Sequence, residues 1–315
     1  MIRYILKRIL IAIPVLLGIT LLDYAIMSMA GSPMEMMLGP RVTEAALAEK
    51  EALLGLDQPL IVQYFNWLKE LMQGNLGYSI KQNLPVASLI GQNIGPTTLL
   101  MGVSLILSIG LAIPAGIHSA VKQYSKTDYT IVLLSFIGTS IPSFFLALVL
   151  VYLFNMKLGV LPSGGMTTLG YDPSIGDTVR HMILPVVVMV VSLLGNNIRY
   201  IRASMLEILD QDYLRTARAK GIGKKKVIRK HALRNALLPI ITIFGMQIPI
   251  MFSGSVVIEQ VFSWPGLGRL TMDAILNRDF PLIMGVSLLA AIVVLVSNLL
   301  TDIIYTLVDP TIEYS

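Results

Sequence analysis

The chain has 315 residues, 55% of them hydrophobic and 14% charged, with a formal net charge of +5 and no cysteine. Soluble domains carry about 25% charged residues, so this composition describes a polytopic membrane protein, and the basic balance belongs to topology rather than to nucleic acid. Without cysteine there is no disulfide framework and no thiolate metal site.

Met1–Arg8 carries Arg3, Lys7 and Arg8 ahead of an apolar run, Ile9–Met29, that is interrupted by Thr20, Asp23, Tyr24 and Ser28. Ser28-Met29-Ala30 fits the small-x-small pattern of a signal-peptide cleavage site. A signal core is about 7–15 residues long, whereas this run is long enough to cross a ~30 Å hydrocarbon core. The run therefore predicts an uncleaved first span, 9–29, with its N-terminus in the cytoplasm.

Residues 31–95 read as an outside loop of mixed polarity. Thr43 is placed to cap a helix through Leu54 that stops at Gly55. Asp57 is placed to cap a second helix, with Pro59 in its first turn. There Leu60, Ile61, Tyr64, Phe65, Leu68, Leu71 and Met72 recur at helical spacing, with Gln63, Asn66, Lys69 and Glu70 between them. That is an amphipathic helix ending at Gly74. It packs on the outer ends of the spans, lies in the headgroups, or forms a platform for an external partner.

The second span covers 97–120, and Val121–Asp128 is a short polar turn. The third span, 129–154, contains Pro142, and an interior proline bends a helix. Leu161–Gly165 in the next outside loop is a turn cluster. The fourth span, 183–198, continues through Asn196 and Asn197 towards Arg199. The fifth, 237–258, contains Pro249 and a small-residue patch at Ser253, Gly254 and Ser255. After an outside loop at 259–281 comes the sixth, 282–305, and a short tail. The expected fold class is an all-α integral membrane protein with six transmembrane helices and both termini inside. In this topology sixteen of the 24 Lys/Arg are cytoplasmic and eight lie outside, as the positive-inside rule requires. No basic groove interleaved with aromatics exists for nucleic acid.

Eleven of those bases fall in Arg199–Pro239, against three acids, Glu207, Asp210 and Asp212. The pattern predicts two short helices broken at Gly221. Tyr213–Lys220 is a run of good helix formers, and Gly221 supplies a left-handed stop that a Cβ would penalise. A second run starts near Lys224, with Val227, Ile228 and Leu233 apolar among bases. Pro239 heads the next span, where a first-turn proline loses no hydrogen bond. A solvated basic loop accounts for the charge alone. A helix–Gly–helix between two spans is also a shape that another protein can grip.

Catalytic chemistry is missing. The one glycine–lysine cluster, Gly221-Ile222-Gly223-Lys224, has Arg218 where a P-loop needs glycine and Lys225 where it needs Ser/Thr, so any ATP-driven work needs another subunit. There is no HExxH and no GxSxG. Asp23 and Asp302 lie towards opposite faces of the membrane and cannot form a dyad. Asp302 is placed to pair with a base of the 199–236 loop. Asp23 is placed to hydrogen-bond a neighbouring helix, snorkel outward or line a pathway. The mid-span polar groups are mostly neutral hydroxyls and amides, which more often serve helix packing. Gln247, Ser253 and Asn298 are the candidates for a substrate pathway.

TARAKG (Thr216–Gly221) followed by HALRNALLP (His231–Pro239) resembles the EAA-type coupling loop of ABC-importer permeases, and more narrowly their peptide branch, which carries dipeptides, oligopeptides or nickel. GLDQPLIVQY, GNLGYS, EQVFSWPGLG and NRDFP extend the likeness to the first-permease type along nearly the whole chain. Arg215 departs from the acidic first position of the loop, the Gly-to-Pro spacing is longer than in sugar importers, AGSP (Ala30–Pro33) replaces the usual PGDP, and Thr311 replaces an arginine after Asp309-Pro310. The resemblance implies a single transmembrane permease domain over 1–315, in a prokaryotic inner or cytoplasmic membrane, that is not an enzyme. It implies that Arg215, Thr216, Ala217, Arg218, Ala219, Lys220, Gly221, His231, Asn235 and Pro239 meet an ATPase. The implied partners are a second homologous permease, two cytoplasmic ATPase subunits that bind the ATP and Mg, and an extracytoplasmic peptide-binding protein. No cofactor is expected in this chain. The alternatives are a permease for nickel or another small solute, a self-sufficient carrier or channel, and a membrane subunit of a larger enzyme complex.

Overall fold

The computed structural model describes residues 2–29, 55, 57–172, 174–223, 226–233, 236, 245, 247, 249 and 255–308. They are mostly helical, and no strand occurs among them; one isolated bridge joins Tyr78 to Pro85. The helices are α1 (Ile2–Met29), α2 (Leu60–Met72), α3 (Val86–Val121), α4 (Lys126–Ser140), α5 (Ser143–Leu150), α6 (Ile175–Leu209), α7 (Asp212–Ala219), α8 (Val256–Val261), α9 (Leu267–Leu276) and α10 (Phe280–Val308). α5 continues as a π-helical turn over Val151–Lys157, and a second π turn covers Val227–Ala232. Within the described residues four helices are long and apolar enough to cross a membrane, in α1, α3, α6 and α10. A fifth span results if the bent pair α4 and α5 counts as one. Most of the expected fifth span, 237–258, and the Thr43–Leu54 helix lie outside the described residues.

The chain divides into two compact units. The first comprises Met1–Gly95 and Gly266–Val296. Its core joins Val86, Leu89 and Ile90 to Leu267, Leu270 and Ala274 of α9 and to Leu282 and Val286 of α10. A polar latch closes the loop after α2: the carboxylate of Asp279 accepts from the Ser79 hydroxyl and from the backbone N–H of Ile80 at 3.1 Å. Asp279 is 1% exposed, so these donors replace the water that its charge has lost. The amphipathic helix α2 forms where its periodicity predicts, but Asp57 does not cap it. Pro59 is the N-cap and no side chain bonds there. The Pro59 carbonyl instead takes the N–H groups of Val62 and Gln63, and proline has no N–H of its own to leave unpaired.

The second unit comprises Pro96–Pro265 and Ser297–Ser315. Here α4 lies along α6. The two backbones meet so closely at Gly195 that a Cβ there would sit 2.4 Å from the Ser135 carbonyl oxygen. Hydroxyls on α3, α4 and α6 are satisfied at home: Ser104 donates to Leu100 O, Ser135 to Ile131 O and Ser192 to Val188 O. Such i−4 bonds hide a hydroxyl from hydrocarbon and leave little for a ligand. Pro142 does more than bend a helix. The helix ends at Ser140, Pro142 caps the next one in extended conformation, and the two halves meet at 92°. Above this break Met182, Leu184, Val188, Ile258, Phe262 and Trp264 form one core, with the Trp264 indole donating to Pro96 O at 3.0 Å.

Candidate functional site

Helix α6 does not stop with its apolar run but continues to Leu209, which carries the chain past Arg199 and Arg202. The eight-residue α7 then projects, and its sequence explains its end. Gly221 adopts φ +79°, and Ile222 N–H returns to the Ala217 carbonyl at 3.3 Å. This is the 6→1 bond of a Schellman stop, with glycine at the left-handed position. After it, the run beginning at Val227 winds as a π turn, with Leu233 N–H bonded to Ile228 O.

The loop has two faces. Leu214, Val227, Ala232 and Ala236 are fully buried in a core with Ala112 and Ala120 of α3 and Ile198, Ile201 and Met205 of α6. Ala217, Ile222, Ile228 and Leu233 close its edge. Ser204 adds a hydrogen bond to Ala236 O at 3.3 Å. Burial at about 25 cal/mol per Å² therefore fixes the inner face of the loop. The opposite face presents Arg215, Thr216, Ala219, Lys220 and Gly221 to solvent. Arg215 reaches Asp210 at 3.1 Å and Asp212 at 3.5 Å, with all three side chains exposed. Such pairs contribute little stability, so these charges are available to a partner.

Of the coupling residues expected from sequence, α7 and its stop bring Arg215 to Gly221 onto one short element, with Ala217 turned inward. His231 lies on the π turn. Asn235 and Pro239 lie outside the described residues, as do Ser253 and the Asp302 side chain. Gln247 does not stand alone: its amide donates to Asn197 at 2.8 Å, and Asn197 donates to Ser108 at 3.0 Å. Asn197 is 1% exposed, so this chain of amides is a buried seam between helices. Asn298 is exposed on α10. The Ser287 hydroxyl donates to the Asp23 carboxylate, which is the first of the roles open to that acid.

One group at the site escaped the sequence reading. Asp128, 2% exposed, accepts two bonds from the Arg202 guanidinium, at 2.9 and 3.0 Å, and others from the Ser119 hydroxyl and Tyr124 N–H. The fork-to-fork pair joins the start of α4 to α6 about two turns before α6 ends at Leu209. Ser125-Lys126-Thr127-Asp128 is a capping-box string, and Ser125 does accept from Asp128 N–H. That string was the available signal.

Residues 112–314 match the family model "Binding-protein-dependent transport system inner membrane component", and residues 1–101 match the N-terminal model of the same type of membrane component. The chain is 46% identical to the oligopeptide transport system permease protein AppB of Bacillus subtilis, covering 100% of both chains. It is 37% identical to the dipeptide transport system permease protein DppB of Escherichia coli K12, covering 100% of this chain and 99% of that one. Two inward-facing structures of the MetNI methionine ABC transporter superpose with TM-scores of 0.55 and 0.57, at 18% and 19% identity. They cover 71% and 70% of this chain and 97% and 96% of their own, and they show the fold alone. With exposed apolar helices long enough to span a bilayer and a family model over most of its length, the chain belongs to the inner-membrane components of binding-protein-dependent transport systems, and is a multi-pass transport subunit rather than an enzyme.

Proposed function

We propose that the chain is one permease half of an ATP-driven importer of dipeptides or oligopeptides. Its six spans place both termini in the cytoplasm, with the fifth at 237–258. A second, homologous permease completes the pathway. Two cytoplasmic ATPase subunits bind ATP and Mg, and an extracytoplasmic peptide-binding protein delivers cargo. The permeases named for oligopeptides and dipeptides at 46% and 37% identity support the cargo class.

The observation that carries the coupling role is the build of α7. Its inner face is anchored in a core shared with α3 and α6, while Arg215, Thr216, Ala219 and Lys220 face solvent. A motor gripping the outer face moves the ends of two spans with it. Docking closes when ATP closes the ATPases, the anchored helix follows, and the break at Pro142 takes up part of the motion as a hinge. A chain with few strong ligands along its spans leaves cargo affinity to the separate receptor.

Gly221→Val tests this. No atom lies within 4 Å of a Cβ at this position, so nothing clashes, but φ +79° is strained for valine. The stop at the end of α7 shifts while the buried face stays packed. The complex should insert and hydrolyse ATP, yet import peptide several-fold more slowly. Normal import by this variant would remove α7 from the coupling role.

A further inference from the structure

We infer that α2 lies within the outer leaflet of the bilayer, with lipid acyl chains covering its free apolar flank, and is not an external platform. The inference rests on reading α1 as a span.

Depth comes from the contacts between α2 and α1. The apolar run of α1 is Leu10–Met29, and Thr20 stands at its middle, roughly 14 Å from the Met29 end at 1.5 Å per residue. The Tyr64 hydroxyl of α2 meets Thr20 Oγ1 at 3.0 Å and Leu17 O at 3.3 Å. One turn outward, Tyr24 donates to Gln63 at 3.0 Å, and the Tyr24 and Tyr64 rings meet edge to face at 5.8 Å. A tyrosine ring cannot bridge from a helix lying on the headgroups to the midpoint of a span. α2 therefore sits beside the half of α1 that ends at Met29, which is the outer half when the N-terminus is inside.

The apolar face of α2 is wider than the surface α1 covers. Tyr64, 6% exposed, points at α1, and Trp67 stacks on it at 6.0 Å. Ile61, Phe65 and Met72 form the adjoining strip and stay 56%, 60% and 76% exposed. Beyond them come the polar residues Asn66, Lys69 and Glu70. α1 leaves apolar side chains uncovered as well: Leu22 and Ile26, on its side away from α2, are each 64% exposed. One solvent suits both, and it is hydrocarbon.

Backbone groups in lipid must be satisfied internally, and several at the ends of α2 are. Val62 and Gln63 N–H bond Pro59 O, and the Gln63 amide bonds Gln58 O at 2.7 Å. At the other end Gln73 and Asn75 N–H return to Glu70 O.

The chain has no native cysteine, so with the partner subunits also made cysteine-free, single cysteines report position. The whole transporter is placed in phosphatidylcholine nanodiscs, with a bimane label on Ile61→Cys, Phe65→Cys, Asn66→Cys or Leu22→Cys. Doxyl-labelled phosphatidylcholine and aqueous iodide serve as quenchers. The inference expects the labels at 61 and 65 to be quenched by the lipid doxyl group as strongly as the label at 22, and the label at 66 to respond more to iodide. Iodide quenching at 61 and 65 would put α2 in water and overturn it. A response to neither quencher would mean that protein covers the strip, and would overturn it equally. If the label at 22 also escapes the lipid quencher, α1 is not a lipid-facing span, and the six-span reading fails together with the inference.

Discussion

Arg202 is the residue whose loss should be felt most widely around the loop. Its guanidinium is the main partner of a carboxylate that is almost wholly buried, and removing one member of such a pair leaves an uncompensated charge. Arg202→Leu should lower the stability of the complex by about 3 kcal/mol, seen as a drop in thermal unfolding temperature. Replacing both partners, as in Asp128→Leu with Arg202→Leu, should restore most of that loss, because two apolar groups of similar size need no pairing. A double variant as unstable as the single one would mean that the pair is not the cause. The contrast with Gly221 shows what a sequence carries at this scale. A glycine stop is a local property, readable from helix formers on one side and bases on the other. The partner of Asp128 is 74 positions away, and a short polar turn gives no hint of it beyond the capping string. Asp57 has the residue type and spacing of a cap but does not serve as one, because Pro59 is the N-cap and has no N–H of its own to satisfy.

Helices α4 and α6 owe their close approach to a missing side chain. Gly195→Val places a methyl-bearing carbon where Ser135 O and Thr139 Cγ2 already stand, at 2.4 and 2.7 Å. It should destabilise the protein by about 2 kcal/mol through overpacking. Gly110→Ala in α3 meets nothing within 4 Å and should be neutral or slightly stabilising, since alanine is the better helix former. Equal effects of the two changes on thermal stability would argue that the α4–α6 packing is looser than described. Pro142 was legible as a disturbance, because proline cannot donate inside a helix, but the 92° turn depends on the extended backbone around Ile141 and was not. Hydropathy also hides where helices end. α3 begins at Val86 and α6 runs on to Leu209, and the polar turns at these ends look like loop to any apolar count.

At the scale of the whole molecule, the chain as proposed is driven by other subunits. The purified chain alone in liposomes should pass no peptide. Flux should require the second permease, the ATPases and ATP, and flux without them would favour a self-sufficient carrier. The central claim is that α7 is gripped from its exposed side. In an otherwise cysteine-free transporter, a photoactivatable crosslinker on Thr216→Cys or Ala219→Cys should capture an ATPase subunit, and the same probe on Leu214→Cys, whose side chain is fully buried, should not. Capture from the buried position alone, or from none of the three, would contradict the account.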